Sequence, residues 1–203
     1  MEKRIDTVVI GAGQSGLAAS YLLGERRVEH VVLERDRVDE SWRSKRWDSF
    51  TLVTPAWTLE LPGFPYRGDP ERFLPRDEIV QYLEDDADRF SAPVRLGVHV
   101  DSVKPRSDGT LEVATRQGTC IARNVVVGIG TYQRPKIPTM ASRLAPEVLQ
   151  VHASAYRRPH ALPEGSVLVV GGGQSGAQIA DELREAGRGV YLSVGRSKRV
   201  PRR

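Results

Sequence analysis

Cysteine occurs once in these 203 residues, at Cys120, so the sequence holds neither a disulfide framework nor a Cys-x-x-Cys redox pair. The four histidines (His30, His99, His152 and His160) show no metal-ligand spacing, and no metal site is expected. No apolar run approaches the roughly 18 residues of a membrane helix. Met1-Glu2-Lys3-Arg4 opens directly onto a strand-like run and does not read as a signal peptide. A Gly-x-Ser-x-Gly nucleophile elbow is missing as well, because Leu17 and Ala177 stand where its last glycine belongs. Low-complexity segments are absent. What remains is ordinary: 39% hydrophobic and 28% charged residues match globular averages. The expectation is a soluble cytoplasmic protein with one large or two small domains and no membrane association.

The net charge of +4 is unevenly spread, with Arg196, Lys198, Arg199, Arg202 and Arg203 crowding the last eight residues. Such a cluster alone suggests nucleic acid. No aromatic stacking platform accompanies it, so no nucleic-acid partner is expected. Phosphate contact ranks first for Arg196, and a solvated tail for Arg202 and Arg203.

The chain writes one phrase twice. Residues 8–16 read Val-Val-Ile-Gly-Ala-Gly-Gln-Ser-Gly, and residues 168–176 read Leu-Val-Val-Gly-Gly-Gly-Gln-Ser-Gly, 160 positions on. Each is an apolar run followed at once by Gly-x-Gly-x-x-Gly and a stretch able to form a helix. A lone copy is often only a glycine-rich turn, whereas two in this context form a dinucleotide fingerprint. Gly11 and Gly171 make the tight turn, Gly13 and Gly173 let the backbone approach a pyrophosphate, and Gly16 and Gly176 let helix and strand pack closely. The helix N-terminus, with Gln14-Ser15 or Gln174-Ser175, then offers N–H groups and positive dipole to the phosphates.

The end of the second strand of each unit discriminates between dinucleotides. His30-Val31-Val32-Leu33 leads to Glu34, where an acid can bond ribose hydroxyls, its alternative being a surface acid at a strand end. The equivalent position in the second unit is Val194, with Ser193 before it and Arg196 shortly after. Hydroxyl and basic groups suit a ribose bearing a 2′-phosphate, which an acid would repel. The first site therefore reads as FAD or NAD and the second as NADP.

Between the fingerprints, Trp42, Trp47 and Trp57 share one segment with Phe50, and Leu61-Pro62-Gly63-Phe64-Pro65-Tyr66 makes it an ordered loop. It suits equally a shield for a flat cofactor and a hydrophobic plug. Asp77 begins a helix with Ile79, Leu83, Ala87 and Phe90 at helical spacing. Strands at 98–103, 111–115 and 119–122 form a small antiparallel meander, and Val125-Val126-Val127 reads as a separate, buried parallel strand ending at Gly128-Ile129-Gly130. The fold class is thus α/β: two Rossmann-like units with a β-meander between them. Residues 1–140 are assigned to an FAD-binding domain and 141–203 to the start of an NADPH-binding domain. A doubly wound domain needs more βαβ units than the second part holds, so the chain is expected to be the N-terminal portion of a longer protein and inactive alone.

In its order of parts the sequence resembles the two-dinucleotide flavoproteins that include flavin-containing and Baeyer–Villiger monooxygenases. Glu34-Arg35, Ser41-Trp42-Arg43, Arg46-Trp47-Asp48 and Leu52-Val53-Thr54-Pro55 resemble that family's flavin-contacting loop. The resemblance implies FAD contacts from Gly11, Gly13, Gln14, Ser15, Gly16, Glu34, Arg35, Trp42, Thr54, Val100 and Gly130. It implies NADPH contacts from Gly171, Gly173, Gln174, Ser175, Gly176 and Arg196, beside Ser193. The implied reaction passes hydride from NADPH to FAD and one oxygen atom of O2, via a peroxyflavin, to a small organic substrate; no acid–base residue is nominated. The alternatives are a flavin-dependent NADPH oxidase or reductase and a non-enzymatic nucleotide sensor. A thioredoxin-reductase-like dithiol enzyme is disfavoured by the single cysteine.

The sequence also departs from that pattern. Asp39-Glu40 stand where the family has Gly-Gly, and Gly128-Ile129-Gly130 where it has Ala-Thr-Gly. Of the Phe-x-Gly-x-x-x-His signature only His152 matches, with Pro146 and Val148 in place of Phe and Gly. Tyr156-Arg157 replaces the Trp-Pro typical of Baeyer–Villiger enzymes, which tells against that reaction.

Overall fold

A computed structural model describes residues 3–195. The first unit runs β1 (Lys3–Ile10), α1 (Gln14–Glu25) and β2 (His30–Leu33). After it come a short α2 (Glu40–Ser44), a 3-10 turn at Ala56–Thr58 and α3 (Arg76–Arg89). Then follow β3 (Val94–Arg95), β4 (Val100–Pro105), β5 (Leu111–Thr115) and β6 (Gly118–Val127). The second unit is β7 (Val167–Val170), α4 (Gln174–Glu185) and β8 (Val190–Ser193).

Strands β3-β2-β1-β6-β5-β4 form one sheet, and β7-β8 form a separate parallel pair. β1 runs parallel to both β2 and β6, while β4, β5 and β6 are antiparallel neighbours. The β-branched run of β1 alternates between two covered faces, as a strand of period two must. Val8 packs with Val31, Val113 and Ala122, the last two from the meander. Val9 faces the other way, with Val32, Ala12 and Leu23 of α1.

The meander is therefore not a separate sheet. β6 is one ten-residue strand that joins the expected segment 119–122 to Val125-Val126-Val127, pairing with β1 from Cys120 to Val127 and with β5 over its first half. The expected burial at the end of this strand is corrected: Val125 and Val126 are half-buried and Val127 is 64% exposed, because beyond Ala122 only β1 flanks it. The strand expected at 98–103 is Val100–Pro105, since the Val98 N–H is taken by the Glu34 carbonyl (2.9 Å) at the end of β2. α3 starts one residue early, because the Pro75 carbonyl accepts the first helical bond from Ile79 (3.2 Å). Asp77 and Glu78 in its first turn complement the helix dipole.

The largest core cluster is built by the aromatic loop. Trp47 (2% exposed), Phe50, Leu59, Leu61 and Leu74 pack with Ile79 and Leu83 of α3, and with Ile179 and Leu183 of α4. Trp47 meets Phe50 edge-on at 5.0 Å between ring centroids, and Tyr156 at 6.5 Å. Two bonds seat α4 on this plug: the Tyr156 hydroxyl donates to Glu182 Oε2 (2.7 Å), and Gln178 Nε2 donates to the Thr51 carbonyl (3.1 Å). Burial pushes the Tyr156 phenol above its ordinary range, and the neighbouring Glu182 carboxylate adds to this. On β7-β8, Val167, Val169 and Val190 pack on this cluster, while Leu168, Val170 and Tyr191 are exposed. No helix among the described residues is long and apolar enough to cross a membrane.

Candidate functional site

The two fingerprints fold alike. Gly11 has φ +99° and its N–H donates to the Leu33 carbonyl (2.8 Å); Gly171 has φ +114° and its N–H donates to the Ser193 carbonyl (2.9 Å). Positive φ is open to glycine at little cost. A Cβ on Gly16 would lie 1.8 Å from the Gly11 carbonyl oxygen, and one on Gly176 1.9 Å from that of Gly171. Any side chain there would force helix and turn apart. The middle glycines face open space: nothing lies within 4 Å of a Cβ on Gly173, and only Asp39 Oδ1, at 3.3 Å, near one on Gly13. Helices α1 and α4 begin at Gln14 and Gln174, with Gly13 and Gly173 as caps and no side-chain cap bond, so their first N–H groups point outward unclaimed by caps.

The units differ where Glu34 meets Val194. Glu34 Oε2 accepts the Ala12 N–H (2.8 Å) and Oε1 accepts the Asp36 N–H (2.9 Å). These two bonds fix the carboxylate over the fingerprint while leaving each oxygen further acceptor capacity. In the second unit, the apolar Val194 side chain lies beside Gly172, the counterpart of Ala12; its Cγ1 is 3.0 Å from where a Cβ would be.

A cleft of about 360 Å³ opens over the first fingerprint. Gly11, Gly13, Gln14 and Ser15 form its floor, Glu34 and Arg35 one wall, and Trp42, Val100 and Gly130 the rest of the expected set. Gly16 stands behind the floor, holding the turn closed. Thr54 does not line the cleft; its hydroxyl accepts a bond from Thr58 Oγ1 (2.7 Å) on the exposed loop. Ser193 ends β8, and Arg196 lies outside the described residues. Sequence reasoning missed Asp36, Asp39, Lys45, His99 and Gln133, which also line the cleft. The signal for Asp39 was its place in a position where the resemblance has glycine. Gly128 supports the site from below: its N–H donates to the Ile10 carbonyl (2.8 Å), and its Cβ position is 3.2 Å from the Gly16 nitrogen.

The aromatic segment divides its work. Trp47 and Phe50 are plug, whereas half-buried Trp42 stands at the cleft with the Arg46 guanidinium 5.1 Å over its ring. Burial lowers the Arg46 pKa. His152 lies away from the cleft; its Nδ1 accepts the Ser154 N–H (3.2 Å), which places any single ring proton on Nε2. A second cavity of about 290 Å³, between Glu29–Val31 and Pro93–Arg95, holds no fingerprint residue.

Fold and site together define a two-fingerprint α/β oxidoreductase architecture. Residues 8–202 match the pyridine nucleotide-disulphide oxidoreductase family, and the chain belongs to it. It is 45% identical over 196 residues to an uncharacterized CzcO-like oxidoreductase of Geobacillus kaustophilus, covering 96% of this chain and 56% of that protein. It is 31% identical over 179 residues to the indole-3-pyruvate monooxygenase YUCCA1 of rice, covering 87% of this chain and 44% of that one. The solved flavin-containing monooxygenase of Stenotrophomonas maltophilia superposes with a TM-score of 0.86 at 28% identity, over 96% of this chain and 59% of that chain. The chain thus spans about half the length of the curated relatives it matches.

Proposed function

We propose that this chain is the dinucleotide-binding portion of an FAD- and NADPH-dependent monooxygenase that places one oxygen atom of O2 on a small organic substrate. The observation that carries the reading is the pair of fingerprints with closely similar turns and opposite chemistry beside them, Glu34 in one and Val194 in the other. The monooxygenase names of the rice and Stenotrophomonas relatives support the oxygenation step.

The first cleft fits FAD: a glycine floor open at Gly13, an unclaimed helix start at Gln14 and Ser15, and a fixed carboxylate in Glu34. In this reading Gln14 and Ser15 offer backbone N–H groups to the pyrophosphate and Glu34 accepts from the ribose. Arg35, Trp42, Val100 and Gly130 enclose the remainder of the group. Thr54 contributes only through the loop, where its hydroxyl pairs with Thr58. Bound flavin supplies hydride acceptance and dioxygen chemistry. The Trp47–Phe50 plug holds the loop that carries Trp42. Gly171, Gly173, Gln174, Ser175 and Gly176 would hold the NADPH pyrophosphate, with Ser193 and Arg196 at the 2′-phosphate. The division of the chain near residue 140 into FAD and NADPH parts belongs to the same proposal.

The test is direct. Purified protein is expected to carry FAD, and Gly13→Val to lose it while staying folded, since a bulky side chain there fills the floor. In the full-length protein, consumption of NADPH and O2 with isotopically labelled oxygen appearing in product supports oxygenation. Stoichiometric peroxide without labelled product refutes it in favour of an oxidase, and NADP binding with no flavin refutes both.

A further inference from the structure

Asp39 precedes α2 with its backbone in the left-handed region, at φ +58° and ψ 29°. Its N–H donates to the Ala12 carbonyl (3.1 Å), which pins it against the first fingerprint. The residue is 2% exposed, and Oδ2 is buried with no hydrogen-bond partner. Oδ1 is the single atom within 4 Å of a Cβ built on Gly13, at 3.3 Å, and the residue lines the cleft. A buried polar group without a partner is costly. Here that cost falls on a carboxyl that stands against the open glycine of the cleft floor.

Its surroundings decide its charge. Arg43 of α2 faces it, but the Arg43 guanidinium is paired with Glu84 of α3 and its Nε is itself buried without a partner. Glu34 at the end of β2 and Glu84 add negative charge. Burial, opposed by Arg43 and reinforced by these two acids, pushes the Asp39 carboxyl up to about 7. A phosphate arriving over Gly13 would add further negative charge.

We propose that Asp39 binds the phosphates of the dinucleotide in the first cleft as a neutral acid, donating a hydrogen bond from its protonated carboxyl to a phosphate oxygen. This rests on the reading of that cleft as the FAD site. An ionised carboxylate only accepts hydrogen bonds and would repel the phosphate; the neutral acid donates one. Binding then takes up a proton once the free protein has lost it. The dissociation constant for FAD rises with pH above neutrality, by up to about tenfold per unit.

The experiment titrates flavin-free protein with FAD, and separately with ADP, from pH 6 to 9, following tryptophan fluorescence. Wild type is expected to weaken progressively above pH 7 for both probes. Asp39→Asn and Asp39→Gly are expected to bind with a nearly flat profile, the glycine variant serving if the asparagine variant does not fold. His99 and Lys45 share the cleft, so His99→Gln is included and should retain the wild-type slope. Equal slopes in wild type and both Asp39 variants, or a slope removed by His99→Gln, overturn the proposal while leaving the FAD site standing. Absence of FAD binding in every protein at every pH overturns the FAD reading itself.

Discussion

Replacing Gly16 by alanine tests whether the first fingerprint is a rigid turn or a tolerant glycine loop. The added Cβ would sit 1.8 Å from the Gly11 carbonyl oxygen and 3.5 Å from Val9 Cγ1. A backbone oxygen cannot rotate away as a side chain does. Relief requires α1 and the turn to separate by more than an ångström. Gly128 is wedged at the same point, 3.2 Å from the Gly16 nitrogen. Overpacking a core by one methyl commonly costs 1–3 kcal/mol, and a backbone clash belongs at or above the top of that range, about 3 kcal/mol. For a chain of this size that lowers Tm by about 6–12 °C. Two companions calibrate it. Gly13→Ala meets only a carboxyl oxygen at 3.3 Å and should stay within about 1 kcal/mol of wild type while weakening FAD. Gly24→Ala, near the end of α1 with nothing within 4 Å, should gain about 0.5 kcal/mol. Melting curves by circular dichroism, without ligand, give the comparison. Melting of Gly16→Ala within about 2 °C of Gly13→Ala would refute the close packing of Gly16 against the Gly11 carbonyl.

Asp39→Asn should stabilise the protein in a pH-dependent way. The carboxyl pKa is raised from 3.8 unfolded to about 7 folded, so the destabilisation from Asp39 is absent below pH 4, grows as pH rises to about 7, and is level above. The gap between variant and wild type should open over that window toward a ceiling of about 4 kcal/mol, and a constant gap in denaturant titrations from pH 4 to 8 would contradict it. Trp47→Ala, which empties the plug shared by α3 and α4, should cost about 3–5 kcal/mol in urea unfolding, and a loss below 1 kcal/mol would show that the loop is not core. Arg196→Ala should lower the preference for NADPH over NADH by one to two decades, a loss of about 1.5–3 kcal/mol. An unchanged ratio in steady-state kinetics of the full-length protein removes Arg196 from the coenzyme site.

Local chemistry made much of this molecule legible in its sequence. Gly-x-Gly-x-x-Gly behind an apolar run has few foldings open to it. The reason lies within a few residues: Gly11 needs positive φ, and Gly16 must lie against the Gly11 carbonyl. Helical spacing through Ile79, Leu83 and Ala87 located α3 for the same reason, since periodicity is a local property. Tertiary structure alone decided the rest. The fusion of two apparent strands into β6 depended on β1, more than 100 residues earlier in the chain, offering a partner from Cys120 to Val127. The split of one aromatic segment into plug (Trp47, Phe50) and cleft wall (Trp42) depended on where α3 and α4 came to lie. The burial of Asp39 beside Gly13 appears only when the loop before α2 closes on the turn after β1, and a carboxyl's charge is set by that closure. Glycine geometry is written residue by residue, whereas burial and its electrostatic cost belong to surfaces that meet only in the folded chain.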